Sequence, residues 1–422
     1  MRTNTAWAFT GNAVYAACQW IVFVLLVKRL RPVDAGQFAY AIAVTGPIFV
    51  LANVRLRNLL ATGVAAPNDF ADYLAARLLT TVAAVGGALL IGALATSGPH
   101  ALGVVVLVAV AKAFDAISDI CHGLFQRDLD MRRAAIGLMT NGVISVALVA
   151  TSLALVPSLL AATAAYAAGS AAALLGWDLR CVGGRASLRG VAQNPAASLA
   201  CLRRLIWQAA PLGLSSAIGS MQVNLPRYVI AASLGPAALA VFTALAYITT
   251  LGNMIVNATA QAALPVLARD FQGYVQRYTR RLTRLVVWGT SLGVASVVCG
   301  AVAGRPLLTW IYSAEYASHV HVLIWLMIAS AVSYAFLFLG TGTTARMRFG
   351  AQLLISCAAL TVVACSAGPL VARYGLVGGA YSLLAGAAVE GIAYTLLTLH
   401  DLKFQGSRRP PMPEPALDGV RS

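Results

Sequence analysis

Residues 104–133 read VVVLVAVAKAFDAISDICHGLFQRDLDMRR, and the reading of that stretch decides the fold. Its first half is apolar enough to cross a bilayer. Yet Lys112, Asp115, Asp119 and His122 lie in or just below the span, and Gln126 follows. At about 100° per residue these five positions fall within an arc of roughly 80° on a helix. The other faces carry Ala113, Phe114, Ile117, Ile120 and Leu124, which suit lipid or neighbouring helices. Ionised groups are costly in hydrocarbon, so the stripe must face protein or a water-filled cavity, and such charges mark a functional site by default. The plainer alternative is an internal Lys112–Asp115 pair that only holds helices together.

The rest of the chain has the same character. Of its 422 residues 59 % are hydrophobic and only 10 % charged, against about 25 % charged in a soluble domain. The apolar runs are continuous and long, which excludes the alternating pattern of a β-barrel. The chain therefore reads as an all-α polytopic membrane protein of about twelve spans. They fall near 7–27, 38–60, 77–97, 101–121, 136–156, 158–177, 209–233, 237–262, 284–304, 322–342, 351–371 and 376–400. The predicted organisation is a six-helix bundle over 1–178, a basic cytoplasmic linker over 179–208, a second six-helix bundle over 209–402 and a disordered cytoplasmic tail over 403–422.

The net charge of +16 does not point to nucleic acid, because the basic residues are scattered between apolar spans. With the N-terminus in the cytoplasm, twenty-one Lys and Arg fall inside, Arg77 among them, and five fall outside. Arg55, Arg57, Lys112 and Arg227 remain within spans. The positive-inside rule then places the chain in the cell inner membrane with both termini cytoplasmic. The first apolar run, Ala6–Val27, ends in Lys28-Arg29 and reads as a span rather than a cleavable signal. The seven cysteines form no metal-binding or disulfide pattern.

The two halves look like parallel repeats. At an offset of 204, Leu30/Leu234, Pro32/Pro236, Phe38/Phe242, Thr45/Thr249, Asn53/Asn257, Leu60/Leu264, Arg77/Arg281 and Leu78/Leu282 are identical. Six spans keep the same direction across the repeat, as in transporters built from parallel halves.

Further polar groups sit inside spans. In the second, a straight helix would put Arg55, Asn58 and Thr62 on one face and Asn53 and Arg57 nearly opposite, so both arginines cannot line one cavity. In the seventh, Ser220, Asn224 and Arg227 share a face, and Pro226 should kink the helix. In the twelfth, Glu390 lies near mid-span without a visible partner. Gln272–Leu285 has aromatic and leucine residues at helical spacing among Arg277, Arg280, Arg281 and Arg284. It suits an interfacial helix on an anionic leaflet, or an elbow that orients the ninth span. No catalytic motif appears.

These residues resemble the polysaccharide and O-antigen flippases of the multidrug/oligosaccharidyl-lipid/polysaccharide superfamily. The matching stretches are Gly11-Asn12 with Tyr15 and Gln19-Trp20, Gly36-Gln37-Phe38 and Pro47, then Leu56-Arg57 with Ala61-Thr62. They continue through Asp72-Tyr73-Leu74 with Arg77, Ser118-Asp119-Ile120 with Gly123 and Gln126, Pro226-Arg227-Tyr228, Leu234-Gly235 and Phe242. The resemblance implies two bundles around a cationic cavity, alternating access and a polyprenyl-diphosphate-linked oligosaccharide cargo. Arg55 does not sit where the family places an arginine. Gly63 stands where similar sequences often carry an acid, while Asp115 retains a second such acid.

The expected substrate cavity is therefore Arg57, Lys112, Asn224 and Arg227, with Asp115, Asp119 and Glu390 as coupling-ion candidates. No cofactor or metal is implied; a proton or Na⁺ gradient is one source of drive. Membrane lipids surround the chain, and polysaccharide polymerase or glycosyltransferase machinery is a candidate partner. A drug or cation antiporter on the same fold would need excess carboxylate in the spans, and the count leans basic instead. A membrane glycosyltransferase or polymerase would need a sizeable outside loop. The longest, Arg305–His321 with Glu315, His319 and His321, is too small for one.

Overall fold

The computed structural model describes residues 2–62, 70–96, 98–183 and 195–406. Gly63 and the tail beyond residue 406 lie outside the described residues. Among the described residues the chain is helical, with short turns and no strand. The helices are α1 (Arg2–Arg29), α2 (Pro32–Asn53), α3 (Leu56–Thr62), α4 (Phe70–Ala95), α5 (Pro99–Arg127) and α6 (Met131–Leu155). Next come α7 (Leu159–Ala173), which runs through a π-helical turn (Leu174–Asp178) into α8 (Leu179–Val182), and α9 (Pro195–Gly273). The chain ends with α10 (Val275–Ile311), α11 (Ala314–Ala317), α12 (Val320–Ala345), α13 (Phe349–Tyr374) and α14 (Leu376–Gly406).

Eleven of these segments are long and apolar enough to cross a membrane. One of them, Gly213–Phe271, is 59 residues long. It breaks at Gly235, whose φ of 84° and ψ of 174° are not helical. Glycine meets that requirement because positive φ costs it no Cβ clash. Each arm exceeds the roughly 20 residues that a 30 Å hydrocarbon layer requires. The chain is a multi-pass membrane protein with the twelve crossings read from its sequence.

Local chemistry sets the helix ends. Pro32 and Pro99 begin α2 and α5, where a missing N–H costs nothing. Asp130 caps α6 by accepting from the Arg133 N–H at 3.2 Å. Three boundaries differ from the sequence reading. Residues 195–208, expected as linker, form the start of α9, and 403–406 extend α14. The backbone stays helical through Pro226, and the break falls nine residues later at Gly235. The basic segment 275–285 is no separate interfacial helix: it continues without interruption into the ninth span. Tyr278 and Leu282, its apolar stripe, are buried in a core with Val256, Leu267, Tyr334 and Phe338. The stripe packs on protein, which leaves the arginines to face outwards.

The second span is also not one helix. Val54 and Arg55 have φ of 44° and 55°, which separates α2 from α3. A β-branched residue in that region is strained. The break is held by burial of Val54 with Leu56 and Leu60. It is also held by close approach of α9, where a Cβ on Gly213 would come within 2.8 Å of the Val54 Cα.

Helices α1–α7 pack chiefly on one another, and so do α9–α14; the two groups meet mainly along α2 and α9. The arginine-rich ends of the helices define a basic face, and the turns at Arg31, Gly98 and Gly235 define a far face. Near the far face one buried core joins both groups: Phe23, Phe38 and Val108 pack with Ile230, Phe242 and Leu323. Near the basic face the core is divided. Leu60, Tyr73, Leu124 and Phe125 belong to one cluster, which Leu205 from the start of α9 joins, and Leu267, Tyr278 and Phe338 belong to another.

Candidate functional site

Charged groups gather in the first six spans, one to two helical turns in from the basic face. The break at Val54–Arg55 turns Arg57 towards α5. Its Nη1 donates to Asp119 Oδ1 at 3.2 Å and its Nε to Gln126 Oε1 at 3.3 Å. On the other oxygen, Arg77 Nη2 donates to Asp119 Oδ2 at 3.0 Å, while its Nη1 donates to Asn53 Oδ1. Arg77 was read as a residue of the cytoplasmic rim. It is instead wholly buried, because α4 begins at Phe70 and carries it into the second turn. The Asp119 carboxylate keeps 31 % of its side chain exposed. One carboxylate between two guanidiniums leaves a local charge of about +1. The Arg77 Nε is buried without a partner among the described residues.

Deeper in α5, Asp115 lies about 18 Å from the helix's basic-face end, at 1.5 Å per residue. Its Oδ1 accepts from Asn141 Nδ2 at 2.8 Å and its Oδ2 from the Tyr15 hydroxyl at 3.4 Å. Lys112 is close enough to act on this carboxylate electrostatically, but these hydrogen bonds come from the neutral donors. Beside them the Tyr166 hydroxyl donates to Gln19 Oε1 at 3.0 Å. Tyr247, its ring 5.2 Å from that of Phe23, lies within electrostatic reach of Tyr15, Tyr166 and Arg227.

In the seventh span, Arg227 Nη1 donates to Asn224 Oδ1 at 3.0 Å, and Asn224 Nδ2 donates back to the Ser220 carbonyl at 2.8 Å. The Arg227 Nε is buried with no partner among the described residues. Next to it, the Tyr228 hydroxyl donates to the Ala43 carbonyl of α2 at 2.6 Å, joining the two groups of helices. Glu390 does have a polar neighbour: the Gln222 side chain of α9 acts on it electrostatically.

The five-residue stripe on α5 faces protein, as its cost in lipid demands, but it does not form one site. Lys112 and Asp115 serve the polar cluster with α1 and α6. Asp119 and Gln126 serve the arginines. His122 Nε2 lies 3.1 Å from Asp178 Oδ1, a buried contact that ties α5 to the π-helical turn. Arg55 points elsewhere, its Nε donating to Ser216 Oγ at 2.8 Å.

The sequence reading missed one ionic cluster. Arg346 Nη1 donates to Asp401 Oδ2 at 3.1 Å, and Arg348 Nη2 to Asp401 Oδ1 at 3.1 Å. Arg346 also donates to Thr343, Thr398 and the Gly342 carbonyl. Its side chain is 1 % exposed and that of Asp401 6 %. Both sit at helix ends, where a sequence reading counts them as loop charges, and no local spacing connects residues 55 apart.

Comparison with known proteins follows the same outline. A family of polysaccharide biosynthesis proteins matches residues 1–271. A capsular polysaccharide biosynthesis protein, CapF of Staphylococcus aureus, is 24 % identical over 404 residues, covering 93 % of this chain and 98 % of its own. Among solved structures, an inward-facing multidrug resistance transporter of the MATE family, in the MOP superfamily, aligns with a TM-score of 0.76 at 15 % identity, covering 96 % of this chain and 100 % of its own. An outward-facing structure from the same family aligns with a TM-score of 0.65 at 14 % identity, over 96 % of each chain. The lipid II flippase MurJ, in an inward closed conformation, gives 0.71 at 10 % identity, over 92 % of this chain and 86 % of its own.

Proposed function

This chain belongs to the polysaccharide biosynthesis protein family, and from that premise we propose that it is a flippase rather than an enzyme. Its cargo would be a polyprenyl-diphosphate-linked oligosaccharide, moved across the cytoplasmic membrane for surface polysaccharide synthesis. The basic face is cytoplasmic in this reading, by the positive-inside rule. Residues 1–178 and 209–402 act as the two moving halves, joined through the basic linker.

The observation that carries the proposal is the division of the core. One hydrophobic cluster closes the far face across both halves, while the basic face has two separate clusters, one in the first half joined by Leu205 from the start of α9 and one in the second half. That is the packing expected of a transporter open towards the cytoplasm. The better overlap with the inward-facing relative than with the outward-facing one supports the same state. The far face is held by polar contacts as well. Trp20 Nε1 donates to the Tyr312 hydroxyl at 2.8 Å, and that hydroxyl donates to the Ala244 carbonyl at 3.1 Å. Opening outwards must break these contacts and close the basic face in exchange.

Within the cavity an anionic head group would meet Arg57 first, beside the half-exposed Asp119. Arg227 comes next, about 12 Å from the Gly235 turn. A guanidinium holds a diphosphate through its bidentate fork. Two stations of moderate strength favour passage over trapping. Lys112 adds positive charge between them while the lipid tail stays in the bilayer. Of the coupling candidates, Asp119 is already neutralised by two arginines, whereas Asp115 is held mainly by neutral donors. Asp115 is therefore the carboxylate to bind a proton or Na⁺, and Glu390, with Gln222 nearby, is the second choice.

The test is reconstitution in proteoliposomes with a fluorescent polyprenyl-diphosphate oligosaccharide, followed by quenching from outside. Flipping that falls at least about tenfold in Arg57→Gln and Arg227→Gln, at matched protein level, supports the mechanism. Cation efflux driven by a gradient, with no glycolipid movement, would instead identify an antiporter.

A further inference from the structure

The arginines freed by burial of the Tyr278–Leu282 stripe line a groove of about 620 Å³ at the basic face. Arg277, Arg280, Arg281 and Arg284 of α10 line it together with Thr259 of α9, and Leu285 and Trp288 continue it towards the hydrocarbon. Beyond Trp288 the surface of α10 stays apolar and exposed through Val294, Val298 and Val302. The groove therefore joins a cationic mouth to a lipid-facing seam.

The arginines are only partly matched inside the protein. Arg281 pairs with Asp270 at 2.7 Å. The Arg277 guanidinium lies 4.4 Å from the centre of the Tyr274 ring. Arg280 and Arg284 have no acidic partner among the described residues. From Arg277 to Arg284 the helix rises about 10 Å, enough to serve two phosphates rather than one. Among the described residues Asp270 is the one carboxylate paired with them, so the mouth keeps a net charge near +3. Basic pockets between membrane helices on the cytoplasmic side suit phospholipid head groups, and tryptophan favours the interface where such a lipid sits.

We propose that this groove binds an anionic phospholipid carrying two phosphates. Its head group lies on the four arginines, and its acyl chains run down the seam past Leu285 and Trp288. Because α9 ends at Gly273 and α10 begins at Val275, a lipid touching both helices braces the turn between the eighth and ninth spans. The proposal does not depend on the identity of the transported cargo.

The test uses the full chain in neutral detergent, with tetraoleoyl cardiolipin, dioleoyl phosphatidylcholine, sodium pyrophosphate and undecaprenyl diphosphate as separate probes. Native mass spectrometry reads retention and thermal melting reads stabilisation. Cardiolipin is expected to be retained at one per chain and to raise the melting temperature, whereas phosphatidylcholine is not. Retention should fall at least about tenfold in Arg280→Gln/Arg284→Gln and recover partly in Arg280→Lys/Arg284→Lys. If the double variant melts below the wild type without lipid, Arg284→Gln alone is read in its place. Unchanged retention in the variant that folds overturns the proposal. So does stabilisation by pyrophosphate alone, which marks an inorganic-anion site, and so does displacement of cardiolipin by undecaprenyl diphosphate, which marks a cargo site.

Discussion

Arg77 and Arg281 are the same residue at the 204-residue offset in the sequence, and they do opposite things. Arg77 is buried, bonds Asn53 and shares Asp119 with Arg57. Arg281 keeps 49 % of its side chain exposed and pairs with Asp270. Asn257, the counterpart of Asn53, turns its amide to the Asn253 carbonyl of its own helix. Gln261 stands where Arg57 stands. The matched sequence positions therefore do not repeat the chemistry. The first half brings Arg57 and Asp119 to a partly exposed position near the basic face. The second seals its main ionic cluster, Arg346 with Asp401, behind α12 and α14, and spreads the rest along the rim. Identical residues in a repeat identify equivalent positions and leave their roles to the neighbours.

The sealed cluster gives the largest expected effect. Asp401→Asn leaves Arg346 buried with a charge that only neutral groups face. Removing one partner of a buried pair costs about 3–5 kcal/mol. The melting temperature in detergent should fall sharply, while transport per folded molecule stays within about twofold. A variant that melts normally but does not transport would place Asp401 in the cavity and erase the contrast between the halves.

The open cluster comes next, with the effect on transport. Asp119→Asn frees Arg57 and Arg77 from their shared counter-charge and lets them repel. Transport should fall about 100-fold, equivalent to roughly 3 kcal/mol. Asp119→Glu, which keeps the charge one methylene further out, should restore part of it. Full activity in Asp119→Asn, measured by the same proteoliposome assay, would make this cluster as structural as its sealed counterpart.

What could be read from the sequence follows the range of each interaction. Span positions, the Leu234-Gly235-Pro236 turn and the placement of charges on α5 depend on near neighbours and on the cost of charge in lipid. Both are visible in the chain. The partners of those charges were not. Arg77 reaches Asp119 across 42 residues and Arg346 reaches Asp401 across 55. The break at Val54–Arg55 has no glycine or proline of its own to announce it. It sits instead against Gly213, on a helix more than 150 residues away, whose backbone approaches Val54 closely. For the same reason the sequence leaves the basic stripe on α10 open between a membrane-surface helix and an elbow that orients the ninth span: its periodicity is plain, but the core waiting for Tyr278 and Leu282 is out of sight.

A third prediction separates the two carboxylates of α5. Asp115→Asn keeps a hydrogen-bonding side chain beside Asn141 and Tyr15 but removes the site for a coupling cation. Downhill flipping should persist, and acceleration by an imposed proton or Na⁺ gradient should drop about tenfold towards the ungated rate. Gradient acceleration that survives in Asp115→Asn and is lost in Glu390→Gln would move the coupling role to the twelfth span.

The smallest expected effect tests the opening comparison most directly. Arg281→Gln removes one member of an exposed pair, and such pairs contribute about 0–1 kcal/mol. Arg77→Gln removes a buried guanidinium from Asn53 and from Asp119 Oδ2, leaving Asp119 only the Arg57 bond on its other oxygen. Melting curves of the two variants, taken in neutral detergent without phospholipid, should therefore differ by several degrees, with Arg281→Gln close to wild type. Adding cardiolipin should widen the small deficit of Arg281→Gln, because that arginine then counts as one of four on the head group. It should leave the deficit of Arg77→Gln unchanged, since no lipid reaches that buried site. Equal deficits in the two variants without lipid would mean that matching position, not local surroundings, sets the role of each arginine.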